Sequence, residues 1–149
     1  MNSDFKDLLA ALCQFQVRFL VVGGYAVMYH TEPRFTKDLD LWIEPEQANA
    51  ERLRDALSHF GAWLDHMQVE DFTRKGVMFQ IGIPPVRVDF LTSLASLDFG
   101  PCWERSDRVV IDSIEIPMVG LDDLIVAKEQ AGRDQDLLDL KKLRQAKGS

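Results

Sequence analysis

Apolar residues near the start of the chain recur with the period of a helix. Phe5, Leu8, Leu9 and Leu12 occupy positions i, i+3, i+4 and i+7, and Ser3 just before them is a suitable N-cap. The polar positions between them lie on the opposite side of the helical wheel. The pattern predicts an amphipathic helix that covers part of a hydrophobic core.

The next segments alternate between strand and helix patterns. A β-branched apolar run over 17–22 is too short for a helix and predicts a strand, which ends at Gly23-Gly24 before a helical segment over 25–30. Asp38 to Ile43 predicts a second strand, and an apolar stripe predicts a second helix over about 45–61. The order is therefore βαβα.

In the rest of the chain the hydrophobic period first changes to two and then returns to that of a helix. The period of two predicts two neighbouring strands over 77–81 and 86–90 and a short hairpin over 108–118. The helical period predicts two closing helices over 121–130 and 134–145. The whole pattern predicts an α/β (α+β) fold with a mixed β-sheet flanked by helices, in a single domain.

Composition and charge limit the partners. With 149 residues, 46% hydrophobic and 28% charged, the chain has the size and balance of one soluble globular domain. The longest apolar run, over 19–29, is shorter than the roughly 20 residues of a membrane span. The acidic start does not resemble a secretory signal, so we expect a cytoplasmic protein without membrane association. The net charge of -7 argues against a broad nucleic-acid-binding surface.

Two carboxylates on the predicted strand share one face. Side chains two positions apart in a strand project to the same side, so Asp38 and Asp40 stand together with their Cα atoms about 6.6 to 6.8 Å apart. They suit one or two divalent cations, although a solvated acidic edge explains the D-x-D pattern equally well. Asp89 adds a third carboxylate if the strands are neighbours, and divalent metal then becomes the economical explanation. Trp42 lies on the same face, where packing is favoured over stacking on a base or sugar.

The glycine pair after the first strand is a second candidate feature. A strand that ends in Gly23-Gly24 and enters a helix presents unpaired backbone N–H groups and the positive end of the helix dipole, which suits a phosphate. A tight corner without any ligand is the structural alternative. The Walker pattern G-x-x-x-x-G-K-[ST] and the Rossmann pattern G-x-G-x-x-G are both absent from the sequence.

Lys128 lies in the middle of the inward-facing stripe of the helix predicted over 121–130. Asp136 lies in the corresponding stripe of the last helix. Two interpretations stay open. Lys128 and Asp136 form a buried ion pair between the two helices, in which either charge without its partner would be strongly destabilising, or Lys128 faces a phosphate and is held in place by Asp136.

Taken together, these residues resemble the nucleotidyltransferase superfamily with the DNA polymerase β-like fold. That family carries a G-G or G-S turn after the first strand, an acid-x-acid pair on the next strand and a third acid on a later one. More narrowly, the segments 23–26, 34–41 and 128–140 resemble the AbiEii-type branch of bacterial toxin-like nucleotidyltransferases. The resemblance covers about residues 18–143 of the predicted domain, 1–149.

The resemblance implies transfer of a nucleoside monophosphate from a nucleoside triphosphate (NTP) to an acceptor hydroxyl, with pyrophosphate as the leaving group. Two Mg²⁺ ions are implied, with Mn²⁺ as an alternative. The implied catalytic and metal-binding residues are Asp38, Asp40 and Asp89. The implied triphosphate ligands are Gly23, Gly24 and Lys128. The implied helpers are Arg34, Thr36, Lys37, Arg133 and Asp136.

The partners are less narrowly defined. The resemblance implies an NTP substrate, an acceptor that is RNA such as a tRNA end, a protein or a small molecule, and a role in a toxin-antitoxin-type system. Because the chain is small, a second copy or a separately encoded partner protein is expected to complete the acceptor side. The alternatives are a catalytically silent module of this fold that binds nucleotide or a partner, and an acidic interaction domain. Three mutually repelling acids favour the enzyme.

Overall fold

The computed structural model of the chain describes residues 1–36, 38–82 and 87–148. The proposed helper Lys37 lies outside the described residues, as do the predicted strand start at Val86 and the turn residues 83–85. The described helices are α1 (Ser3–Gln14), α2 (Gly23–His30), α3 (Gln47–Phe60), α4 (Phe99–Glu104), α5 (Leu121–Ala131) and α6 (Asp134–Lys147), with a 3₁₀ helix over Val69–Thr73. The described strands are β1 (Phe19–Val22), β2 (Asp38–Ile43), β3 (Met78–Ile81), β4 (Arg87–Leu91), β5 (Asp107–Ile111) and β6 (Ile114–Met118).

Within the described ranges, these strands form one mixed sheet in the order β3-β4-β2-β1-β6-β5. β2 runs parallel to β4 and antiparallel to β1, while β1 runs parallel to β6. The outer pairs, β3 with β4 and β5 with β6, are antiparallel. The sheet therefore brings β1, β2 and β4 side by side at its centre, as the predicted mixed α/β fold requires.

The core explains why β1 and β2 occupy the middle of the sheet. All four residues of β1 are buried, so both of its faces are covered. In β2 the burial alternates at first, with Leu39 and Leu41 fully buried while Asp38 and Asp40 are half-buried. α1 packs against α3 and β6, and α5 packs against α6, so the predicted apolar stripes face other elements. The carboxylates of Asp38 and Asp40 therefore lie on the face of β2 opposite to Leu39 and Leu41, where they are partly exposed.

The predicted helix boundaries hold to within a few residues, with one correction at the first helix. Ser3 was expected to be the N-cap, but Asn2 takes that position, and its side-chain oxygen accepts a hydrogen bond from the amide of Asp4 at 2.7 Å. Asparagine satisfies a free amide in the same way as serine. The helix therefore begins one residue earlier than the pattern indicated.

Candidate active site

The glycine turn lies directly beside the acidic pair because of the register between β1 and β2. Val22 pairs with Asp40, so the chain enters α2 at Gly23 next to that carboxylate. Gly23 has φ +66°, and a Cβ there would lie 2.9 Å from Cγ of Asp40. The first amides of α2 have no intrahelical acceptor, and the N-cap residue Val22 has no side-chain acceptor to offer them. Glycine is therefore required here both by the backbone and by the neighbouring carboxylate.

Asp89 lies next to Asp40 across the parallel pair of β2 and β4, as the convergence argument expected. The two residues are register partners. Burial, a hydrogen bond shared with Asp89 and the negative charges of Asp89 and Asp38 raise the pKa of Asp40 to about 7, and Lys128 opposes the rise. Asp89 is 9% exposed, and its Oδ1 is buried without a hydrogen-bond partner. This arrangement of buried acids calls for a cation.

Asp38, two positions before Asp40 on β2, already forms an ion pair. Its Oδ2 accepts a hydrogen bond of 2.9 Å from Nη2 of Arg87 on β4, the residue with which it is in register. Nε of Arg87 also lies 3.9 Å from Oδ1 of Asp89. A cationic side chain thus bridges the first and third of the predicted acids.

The donors fit a divalent cation at Asp40 and Asp89. Carboxylate oxygens are the ligands preferred by Mg²⁺, and the unpartnered Oδ1 of Asp89 is such an oxygen. In residues 1–36, 38–82 and 87–148, however, no group of three or more His, Cys, Asp or Glu side chains is arranged to hold a metal as it stands. Asp38, the first of the three predicted acids, is paired with Arg87.

Lys128 and Asp136 form the ion pair that was one of the two predictions for them. Nζ of Lys128 lies 2.9 Å from Oδ1 of Asp136 and 3.1 Å from Oδ2 of Asp139. The two carboxylates are almost wholly buried, whereas Arg133, which contacts Asp136 at 2.7 Å, is 79% exposed. Burial favours a raised pKa for Asp136, but hydrogen bonds from Arg133 and Lys128 outweigh it and lower the pKa to about 2. These contacts fasten α5 to α6.

Arg34 and Thr36 approach the glycine turn from the segment before β2. Nη1 of Arg34 lies 3.2 Å from Oδ1 of Asp139, so that carboxylate joins Arg34 to Lys128. A Cβ on Gly24 would lie 2.6 Å from Oγ1 of Thr36 and 3.1 Å from Nη2 of Arg34. The absence of a side chain at Gly24 is what allows this segment to pack against the start of α2.

A cavity of about 240 Å³ is lined by the pair of Asp40 and Asp89, by Gly23 and by charged residues of α5 and α6. Its apolar wall comes from β3, β4 and α5 and includes Met78, Leu91 and Leu124. Its polar lining consists of Gly23, Asp40, Asp89, Lys128, Arg133 and Asp136. Four other residues predicted for the site do not line it: Gly24, Arg34, Thr36 and Asp38.

One expectation for the site is confirmed, and two residues of the site were not predicted. Trp42 packs in the core, as favoured: it is 1% exposed and meets the ring of Phe99 edge to face at 5.2 Å between centroids. Arg87 and Asp139 were not predicted as site residues. Their sequence signals, an R-x-D pair and the final acid of R-x-x-D-x-x-D, became informative only when the fold supplied their partners.

The fold is that of the nucleotidyltransferases. Three solved structures of that class superpose on most of the chain. A protein of Thermotoga maritima assigned to the nucleotidyltransferases (TM1012) gives a TM-score of 0.62 at 15% identity and covers 93% of this chain and 88% of its own. The lincosamide antibiotic adenylyltransferase LnuA, bound to lincomycin, gives 0.56 at 12% identity over 97% and 96%. ANT(2")-Ia in complex with adenylyl-2"-tobramycin gives 0.57 at 14% identity over 93% and 84%.

The sequence places the chain in a defined family of that class. Residues 2–149 match the family described as nucleotidyl transferase of unknown function (DUF2204), and the chain belongs to it. No curated protein sequence matches at a significant level. Among the described residues, no helix combines the length and the apolar character needed to cross a membrane.

Proposed function

We propose that this chain transfers a nucleoside monophosphate from an NTP to an acceptor hydroxyl in a reaction that depends on Mg²⁺. The observation that carries the proposal is the pair of Asp40 and Asp89, which are register partners with an unpartnered buried carboxylate oxygen beside the N-terminus of α2. A purely structural site has no use for neighbouring buried acids that repel each other.

Asp40 and Asp89 would hold the divalent ion, and Asp38 would join them. When bound, Mg²⁺ neutralises the carboxylates and the triphosphate and stabilises the charge that develops during phosphoryl transfer. Asp89 is also the proposed acceptor of the proton from the attacking hydroxyl, through a carboxylate oxygen. Asp40, held against Gly23, would fix the distance between the acids and the glycine turn.

The triphosphate would lie between the start of α2 and the end of α5. The amides of Gly23 and Gly24, at the first turn of α2, would donate to the triphosphate, since the helix dipole favours anions at this end. Lys128 and the exposed Arg133 supply positive charge from the opposite side of the same cavity. Arg34 and Thr36 would support the turn at Gly24 rather than contact phosphate themselves. The AbiEii-type resemblance and the helper role of Lys37 stay predictions.

A small-molecule hydroxyl is the proposed acceptor class. Two proteins of the same fold act on or bind antibiotics: one is a lincosamide antibiotic adenylyltransferase, and the other was solved in complex with adenylyl-2"-tobramycin. A tRNA end and a protein side chain are the other acceptors that the labelling experiment would detect. A toxin-antitoxin role and completion of the site by a second copy or a partner protein stay predictions.

The test is NTP-dependent labelling of an acceptor. The purified chain is incubated with each α-labelled NTP, Mg²⁺ and separate small-molecule, RNA and protein fractions of a cell extract, and the labelled product is identified by mass spectrometry. The expected result is one labelled hydroxyl compound in the small-molecule fraction, absent with Asp40→Asn and without Mg²⁺. Equal labelling by Asp40→Asn and the parent would overturn the proposed site.

A catalytically silent module that binds nucleotide is the second candidate. It is favoured by one observation: Asp38 already has a cationic partner in Arg87, so the acids are partly neutralised without any metal. This candidate predicts Mg²⁺-dependent binding of NTP with no labelled product in any fraction. The labelling experiment, combined with a nucleotide-binding measurement, therefore separates the two.

A further inference from the structure

Arg87 occupies an unusual place at the start of β4. Its Nη2 donates to Oδ2 of Asp38 at 2.9 Å, while its Nε lies 3.9 Å from Oδ1 of Asp89. The guanidinium is one-third exposed, and the carboxylate of Asp89 is mostly buried. One cation therefore reaches both acids that flank Asp40 in the proposed metal site.

The contact to Asp89 is incomplete. Nε of Arg87 and Oδ1 of Asp89 are both buried without a hydrogen-bond partner, although the two atoms are close enough to attract as charges. Buried polar atoms of this kind are costly. A divalent cation coordinated by Asp89 satisfies that oxygen directly, so the contact is one that a metal can replace at low cost.

The other cations near the cavity are held elsewhere. Among the ion pairs of the described residues, those of Arg87 are the ones that reach Asp38 or Asp89, whereas Lys128, Arg133 and Arg34 pair with Asp136 or Asp139 on α6. The ion pairs therefore assign Arg87 to Asp38 and Asp89, and the remaining cations to the carboxylates of α6.

We propose that Arg87 is a built-in counter-cation that competes with the divalent ion for Asp38 and so sets the metal affinity of the site. This inference rests on the proposed function, because it assumes that Asp40 and Asp89 bind the metal. In the free protein Arg87 stabilises the acids and weakens binding of the metal alone. The guanidinium of Arg87 would leave Asp38 when a divalent ion binds together with the negatively charged triphosphate, whose oxygens would supply further ligands.

The test is Mn²⁺ binding in the absence of nucleotide, followed by the loss of the free-ion electron paramagnetic resonance signal. The matched control is Arg74→Gln, since Arg74 is exposed and forms its ion pair with Asp71, at 3.1 Å, rather than with Asp38 or Asp89. Arg87→Gln is expected to bind Mn²⁺ about fivefold more tightly than the parent, which corresponds to the loss of one competing ion pair of about 1 kcal/mol. Arg74→Gln should bind as the parent does. Unchanged or weaker binding by Arg87→Gln would overturn the inference.

Two further measurements keep the outcomes distinguishable. If Mn²⁺ binding with nucleotide present is the same in Asp40→Asn as in the parent, the proposed metal site itself is wrong; if it depends on Asp40 but not on Arg87, only the role of Arg87 is wrong. Should Arg87→Gln fail to fold, the Nε–Hε nuclear magnetic resonance signal of Arg87 is followed in the parent chain. The signal should move and exchange faster with solvent when Mg²⁺ and an NTP are added. An unaltered signal would contradict displacement.

Discussion

Gly23 and Asp40 are two residues whose identities depend on each other. The φ of +66° at Gly23 is strained for any residue with a Cβ, and a Cβ would also meet the carboxylate of Asp40. Gly61 at the end of α3 offers a matched comparison, because its φ is +87° but nothing lies within 4 Å of the Cβ position. Backbone strain alone acts at Gly61, whereas strain and overlap act together at Gly23.

We therefore predict that Gly23→Ala costs more than Gly61→Ala. The Gly61 variant should lose about 1 kcal/mol of unfolding free energy, and the Gly23 variant about 2 kcal/mol more because the carboxylate must shift. Urea denaturation followed by circular dichroism measures both. Equal losses in the two variants would show that the carboxylate of Asp40 does not rest against the turn.

Asp40 should destabilise the metal-free protein at neutral pH. Its pKa is raised to about 7 by burial and by Asp89, so between about pH 4 and 7 the folded state binds more protons at this group than the unfolded state does. Stability from this group is therefore present at low pH and is lost as pH rises through 7. In EDTA, the advantage of Asp40→Asn over the parent should therefore be roughly 2 to 3 kcal/mol larger at pH 8 than at pH 5.

Asp55→Asn, a change at an exposed carboxylate on α3, is the control for the loss of a charge as such. It should leave the difference between pH 5 and pH 8 as it is in the parent. If Asp40→Asn is no more stable than the parent at pH 8, the acids do not repel one another in the folded state.

At the scale of elements, the junction between α5 and α6 is fastened by a buried lysine. Lys128 contacts Asp136 and Asp139, whereas Lys147 on α6 contacts Asp122 on α5 at 2.9 Å with both side chains exposed. The same two helices thus carry a buried and an exposed ion pair. Only the buried pair should matter for stability.

Lys128→Met is expected to lower the unfolding free energy by about 2 to 3 kcal/mol, less than for an isolated buried pair because Arg133 and Arg34 still contact the two carboxylates. Lys147→Met should change it by less than about 0.5 kcal/mol. If Lys128 also faces phosphate, its variant should lose most of the nucleotide-dependent rise in melting temperature. A full nucleotide-dependent rise together with a large loss in the free protein would make Lys128 a structural residue only.

The elements with a clear hydrophobic period could be predicted from the sequence, and the short ones could not. Alternating apolar residues predict β2, the glycine pair predicts the turn after β1, and an apolar stripe predicts α6. The 3₁₀ helix at Val69–Thr73 and α4 at Phe99–Glu104 complete too few turns to show a period. The pairing of Asp38 with Arg87 was hidden for another reason: it depends on the register between two strands 49 residues apart.

For the molecule as a whole, we expect Mg²⁺ and an NTP together to stabilise the folded chain by more than the sum of their separate effects. Mg²⁺ and an NTP carry opposite charges, so each should bind the site of Asp40, Asp89 and Lys128 better when the other is present. A ligand at 100 times its dissociation constant contributes about 2.7 kcal/mol, which corresponds to a rise of roughly 5 to 10 °C in melting temperature for a chain of this size.

This joint stabilisation is measured by thermal unfolding with Mg²⁺ alone, NTP alone and both. The combined rise should exceed the sum of the separate rises, and Asp40→Asn should remove the excess. A rise that is merely additive, or one that survives in Asp40→Asn, would count against a shared metal and triphosphate site.

Transfer of a nucleotidyl group can be followed through the fate of the phosphorus atoms of the NTP. The chain is given the acceptor-containing fraction, Mg²⁺ and either α-labelled or γ-labelled NTP, with Asp89→Asn as the inactive control. Label from the α-phosphate should appear on the acceptor, and label from the γ-phosphate should appear in pyrophosphate. Transfer of the γ label to the acceptor, or equal α labelling by Asp89→Asn, would contradict the account.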